Sequence, residues 1–263
     1  MTMPRAATAA LETLATGELV VEGRIAGASN ATLLATAGGD LPCVYKPVRG
    51  ERPLWDFPDW TLARRELAAY ALSEAACWHV VPATAWREDG PAGEGMCQEW
   101  IEADPDAAPV GVVRPGRAPG GWRHVLDASD GAGRDVQLVH ADTAALQRIA
   151  VFDVLANNAD RKGGHLLADA VGRVWAIDHG VTFAIEPKLR TVLWGWAGEP
   201  VPQPILDEVA ALATVLGAGY DPVDRWLDDG ERDRLRRRIQ RFLARGVFPS
   251  PSGRWPAIPW PVF

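Results

Sequence analysis

The chain has 263 residues, 48% of them hydrophobic and 23% charged, which suits a folded protein with a buried core and excludes disordered and fibrous classes. Twenty-seven basic against 34 acidic side chains give a net charge of -7, so nucleic acid is not an expected partner, because phosphates reward a basic face. Mean hydropathy is -0.08 and no run approaches the roughly 20 apolar residues of a membrane span, so stable membrane insertion is not expected either. The N-terminal segment lacks the apolar stretch of a secretory signal, and Cys43, Cys77 and Cys97 form no CxxC pair. A cytoplasmic location without a disulfide framework is the expectation.

In chain order, residues 18–25 and 31–36 predict two strands joined by the small, turn-forming residues 26–30. A third strand is predicted over 42–48, with Val44 and Lys46 on one face and Cys43 and Tyr45 on the other. Residues 61–76 contain neither Gly nor Pro and predict a helix. Two further strands are expected at 79–86 and 95–101 around a Gly-rich turn. The stretch 104–135, dense in Pro, Gly and Asp, predicts a linker or mobile insert. Beyond it come a helix at 143–155, a hairpin pairing 165–168 with 173–177, helices at 203–217 and 229–245, and a Pro/Trp tail. The expected organisation is an N-terminal β-rich lobe (1–101), a hinge or insert region (102–142) and a mostly helical lobe (143–263).

Four polar segments carry the chemistry. The turn Gly27-Ala28-Ser29-Asn30 has small side chains that let backbone N–H groups approach an anion, although most such turns are plain hairpins. Lys46, one of only three lysines with Lys162 and Lys188, sits in the third strand. In the 61–76 helix Leu62, Glu66 and Tyr70 recur every four residues, so Glu66 falls on an apolar stripe and needs a cation there; Lys46 is the available one. The segment Asn157-Asn158-Ala159-Asp160-Arg161-Lys162-Gly163-Gly164-His165 follows a helix, and Asp178 leaves an apolar strand. The short hairpin between them brings Asp160 and Asp178 to one edge. Two carboxylates opposite a phosphate-directed lysine offer hard oxygen ligands for Mg²⁺ and an acid that orients a hydroxyl.

At this level of detail the sequence resembles the phosphatidylinositol 3-/4-kinase-like family, closest to type II phosphatidylinositol 4-kinases and their bacterial relatives, with HipA-type kinases more distant. The resemblance rests on Asn158-Ala159-Asp160-Arg161 followed by Ile177-Asp178-His179-Gly180, with Lys46, Glu66, Val81-Pro82-Ala83-Thr84 and Gln98-Glu99-Trp100-Ile101 in the same order. It implies an α+β, bilobal protein-kinase-like fold and an ATP- and Mg²⁺-dependent phosphotransferase. Under it, Lys46 holds the ATP phosphates, Glu66 positions Lys46, and Ala28, Ser29 and Asn30 form the phosphate loop. Gln98, Glu99, Trp100 and Ile101 are the adenine hinge, Asp160 the catalytic acid/base and Asp178 the metal ligand. His165 stands where the family usually has a second metal-binding Asn; imidazole prefers softer metals than Mg²⁺. The acceptor is expected to be a hydroxyl of a protein or small molecule rather than an inositol lipid. A nucleotide-binding pseudokinase and an AMP transferase on the same fold are the alternatives.

Other motifs carry less. No Rossmann, Walker or GxSxG signature occurs, and the cysteine and His79 spacing matches no structural zinc site. The Arg-rich run 231–245 is read as a helix docked on its own lobe, with an anionic membrane surface as the other option. Trp194-Gly195-Trp196 is either a substrate-side wall or loop packing.

Overall fold

The structure is a computed structural model that describes residues 5–27, 30–58, 60–217, 219–253 and 255–263. It opens with helix α1 (Arg5–Thr16), followed by strands β1 (Leu19–Arg24), β2 (Leu33–Ala37) and β3 (Leu41–Pro47), helix α2 (Leu62–Ala75) and strands β4 (Thr84–Gly90) and β5 (Gly93–Glu99). The five strands form one antiparallel sheet in the order β1-β2-β3-β5-β4, which places β3 at its centre. Alternation along β3 sorts its side chains. Cys43 and Tyr45 are fully buried with Leu14 of α1, Ala85 and Cys97, while Lys46 stands opposite Met96 on the face that α2 covers with Ala63 and Leu67.

Two expectations shift here. Residues 79–83 are not strand: His79 has φ 48 and Pro82 lacks an N–H, so pairing begins at Thr84. Arg5–Thr16 forms a helix for which the sequence reading assigned no element.

The segment 104–135, expected as a linker or mobile insert, carries regular secondary structure. It contributes β6 (Val110–Val113), β7 (Trp122–Ser129) and the start of β8 (Asp135–Ala141), a three-stranded antiparallel sheet in the order β6-β8-β7. Val110 and Leu138 anchor that sheet in the main core.

The C-terminal half is helix α3 (Ala144–Ala156), the hairpin β9 (Leu166–Ala168) and β10 (Val174–Ala176), helix α4 (Gln203–Gly217), the short α5 (Asp221–Asp224) and α6 (Asp229–Arg245). Ile149, Phe152 and Leu155 of α3, Val209 and Leu212 of α4, and Leu235, Ile239 and Phe242 of α6 are buried in one cluster that continues into Ala68 and Leu72 of α2. The Arg-rich helix therefore docks on its own protein, as the first of its two readings expected. Among the described residues no helix is long and apolar enough to cross a membrane. Residues 246–253 and 255–263 return along the C-terminal half: the Thr191 N–H and the Trp194 indole both donate to Ala257 O, and the Gly163 N–H donates to Val262 O at 2.7 Å.

Candidate functional site

A cleft of about 480 Å³ opens between the five-stranded sheet and the β9–β10 hairpin, within the range of small-molecule sites. Lys46 and Asp178 line it together with the chain from Gln98 to Ala103. Val44, Leu167 and Ile177 supply apolar walls.

Helix α2 begins where Glu51 accepts the otherwise free N–H groups of Leu62 and Ala63, at 3.1 and 2.8 Å. One turn on, Glu66 is 1% exposed. Its Oε1 lies 2.6 Å from Lys46 Nζ, and its Oε2 accepts the His179 N–H at 2.9 Å. A carboxylate this deep requires both donors. Lys46 Nζ also donates to Asp178 Oδ1 at 2.9 Å. Burial alone would pull the Lys46 ammonium down, but Asp178 and Glu66 outweigh it and hold the group above the ordinary lysine range. Lys46 in turn holds the Asp178 carboxyl below its usual value. Asp178 has φ 59, a left-handed conformation uncommon for a residue with a Cβ and one that tends to occur at functional sites.

Asp160 follows the end of α3, where Asn157 (φ 53) closes the helix. The Asp160 N–H donates to Asn158 Oδ1 at 2.9 Å, and its carboxylate faces Lys162 Nζ at 3.4 Å. Burial and the negative field of Asp178 raise its pKa, against the pull of Lys162. His165 Nε2 lies 3.4 Å from Asp178 Oδ2, and its Nδ1 makes a long 3.5 Å contact with the Lys162 N–H. Burial lowers this imidazole to about 4 despite Asp178, so it is neutral near pH 7. Its Nε2 faces Asp178, where a proton carried on that nitrogen would be directed at the carboxylate.

The structure thus brings together Lys46, Glu66, Asp178 and His165, with Asp160 on the adjoining loop. Gln98, Glu99, Trp100 and Ile101 line the cleft, joined by Glu102 and Ala103. Gln98 is held by its own bond to Thr84 Oγ1 at 2.8 Å. Asn30 also lines the cleft, though its Oδ1 accepts the Arg52 N–H at 2.8 Å. Ala28 and Ser29 lie outside the described residues. Trp194 and Trp196 are packing residues: Trp196 is 1% exposed and donates to Asp142, and Trp194 bonds the tail. Among the described residues no three His, Cys, Asp or Glu side chains gather around one point as a metal cage.

One network escaped the sequence reading. Arg161 and Asp153 are fully buried; the guanidinium Nε lies 3.1 Å from both Asp153 oxygens, and Nη1 donates to Ile177 O at 2.7 Å. Its remaining nitrogen contacts His179 Nε2 at 2.7 Å, and Asp153 accepts from Asn158 at 2.9 Å. The two acid-bearing loops are therefore tied to one buried arginine. The available signal was an aspartate inside the apolar run Val151-Phe152-Asp153-Val154-Leu155.

No protein-family model matches the chain. Protein Rv2133c of Mycobacterium tuberculosis (strain ATCC 25618 / H37Rv) is 51% identical over 268 residues, covering 95% of this chain and 94% of that protein. The chain belongs to the Rv2133c family.

Among solved structures, the Rv2133c-family chain is similar to the Golgi casein kinase (TM-score 0.53, 15% identity, 93% of this chain and 75% of that one). It is similar also to the Golgi casein kinase with Mn/ADP bound (0.54, 14%, 100% and 81%) and to hydra Fam20 with sugar (0.51, 14%, 89% and 86%). Identities this low speak for the fold: α+β, with antiparallel sheets and helices arranged as in a kinase.

Proposed function

We propose that this chain is an ATP- and divalent-cation-dependent phosphotransferase acting on a hydroxyl acceptor. The observation that carries the reading is the position of Lys46 Nζ, 2.6 Å from Glu66 and 2.9 Å from Asp178 in the wall of a cleft with apolar sides. A lysine from a sheet paired with a helix carboxylate, beside an aspartate from a second loop, is the phosphate and metal apparatus of a protein kinase. The Mn/ADP of one structural neighbour agrees with that reading. The narrower kinship with phosphatidylinositol 3-/4-kinases is supported by Asn158-Ala159-Asp160-Arg161 and Ile177-Asp178-His179-Gly180.

A divalent cation fits the donor set. Mg²⁺ takes one or two protein carboxylates beside phosphate oxygens and water, so Asp178 suffices to hold it without a three-ligand cage. Bound there, the cation supplies charge neutralisation on the phosphates. Lys46 binds phosphate oxygens and Glu66 fixes its direction. Asp160, made more basic by burial, takes the acceptor's proton, and Lys162 beside it offers a second positive charge to the transferring group. His165 is read as a donor that orients Asp178, with the second metal position left to water.

Asp160→Ala and Asp178→Ala are each expected to abolish ATP turnover while circular dichroism and melting temperature stay close to wild type. Turnover at the wild-type rate in either variant would overturn the reading. Nucleotide-dependent stabilisation without phosphate or AMP transfer, read by thermal shift and intact mass, would replace it with a binding module.

A further inference from the structure

A second cleft, of about 550 Å³, is lined in part by the loop between β3 and α2. Its walls are Trp55 and Phe57 from that loop, Trp255 from the tail, and Lys188, with Asp56, which is paired to Lys188, and the exposed Glu186 beside them. Trp55 and Trp255 are 85% and 37% exposed, yet they are ordered against each other: their rings stack with centroids 6.3 Å apart and planes 28° apart. Beneath them Lys188 is 5% exposed. Its Nζ lies 5.4, 5.1 and 5.8 Å from the rings of Trp55, Phe57 and Trp255, and 3.0 Å from Asp56 Oδ2. Three rings around one ammonium form a cation–π support that fixes the platform and leaves its outer faces to solvent.

The cleft also adjoins the catalytic segment. Asn157, three residues before Asp160, donates to Ala184 O and Glu186 O at 2.9 and 2.7 Å and accepts the Lys188 N–H at 2.9 Å. Phe57 packs in one buried cluster with Ala159 and Ala184.

Flat aromatic faces edged by carboxylates suit few ligand classes. A cationic ligand would approach a cage that Lys188 already fills. Phosphate-bearing ligands and nucleic acid would meet Asp56 and Glu186. A purely apolar ligand would strip water from those carboxylates without replacing their hydrogen bonds. A sugar ring meets both demands, because its C–H faces lie on indole while its hydroxyls donate to carboxylates. We propose that this cleft binds a saccharide and, resting on the phosphotransferase reading, that the saccharide is the acceptor. In the transfer, a sugar hydroxyl oxygen bonds to the γ-phosphorus as the bond from phosphorus to the β,γ-bridging oxygen breaks. ADP leaves with that electron pair, and the hydroxyl proton passes to the Asp160 carboxylate.

The test is binding of the full chain to a printed glycan array, followed by saturation-transfer NMR with each glycan that binds, alone and with ATP. Trp55→Ala and Trp255→Ala are expected to weaken glycan binding about tenfold or more, a loss near 1.4 kcal/mol, while the thermal shift given by ATP stays unchanged. Transfer of phosphate to the bound glycan, read as an 80 Da (about one phosphoryl unit) mass gain, is expected for wild type and not for Asp160→Ala. No glycan bound by wild type, glycan binding that survives both tryptophan substitutions, or sedimentation with phosphatidylcholine vesicles that either substitution abolishes would each overturn the saccharide assignment. Glycan binding without any ATP turnover would instead overturn the phosphotransferase reading and the acceptor role, and leave the saccharide site standing.

Discussion

Arg161 shows how much of the site depends on one side chain that touches no cleft. It lies between Asp153 and His179 and holds the carbonyl of Ile177, the residue before Asp178. Removing Asp153 would leave a fully buried guanidinium without its counter-charge, and broken buried pairs of this kind cost about 3–5 kcal/mol. Asp153→Ala is therefore expected to lower stability by about that amount in urea titration. Asp178→Ala, at a half-exposed position, is expected to change stability far less while removing turnover. Equal stability losses in the two variants would contradict the division between support and chemistry. Glu66 belongs to both classes, since it pairs with Lys46 and also accepts the His179 N–H.

Helix α6 gives the corresponding comparison for an element. Asp228 and Glu231 form a reciprocal capping box at its start, with Glu231 N to Asp228 Oδ1 at 2.8 Å and Asp228 N to Glu231 Oε2 at 3.0 Å. Glu231 also forms a buried ion pair with Arg65 of α2, whose guanidinium donates to Thr182 O. Asp228→Ala loses a cap worth about 1 kcal/mol. Glu231→Ala strands a buried arginine as well and should cost about 3–5 kcal/mol. Chemical denaturation of the two variants checks the order, and a smaller loss for Glu231→Ala would refute it.

Elements were legible where one physical rule dominated. Helix α6 over Asp229–Arg245 and helix α4 over Gln203–Gly217 coincide with their sequence expectations because their apolar spacing is regular, and α6 has a capping box besides. The pairing of Lys46 with Glu66 was legible because a carboxylate on an apolar stripe has few ways to be satisfied. The sheet of β6, β7 and β8 was hidden because β7 carries only half-buried and exposed residues and β8 buries only its second half, amid Gly- and Asp-rich turns. The Trp55–Lys188–Trp255 cluster was equally hidden, since its members are separated by 133 and 67 positions (188 − 55 and 255 − 188) and no local pattern joins them.

At the scale of the whole molecule, acid sensitivity follows from its buried histidines. His140 and His179 are fully buried, and burial lowers both below the ordinary imidazole value. The folded protein holds them neutral, whereas the unfolded chain takes up protons below about pH 6.5. Their contribution is complete above that pH and is lost as pH falls toward the folded values. Melting temperature is therefore expected to drop between pH 7 and pH 5. In the His140→Gln variant the drop should be shallower by about one proton, or about 1.4 kcal/mol per pH unit. Pairing of the pH profiles, with no difference between variant and parent, would refute this.

The tail passing over the catalytic segment has one further consequence. A methyl group added at Gly163 would collide with the ring of Phe263, so these two positions, 100 apart in the chain, constrain each other as a lock does its key. Relatives with a bulkier residue at the first should carry a slimmer one at the second, and a chimaera that exchanges only one of the two segments should misfit until the other is exchanged with it.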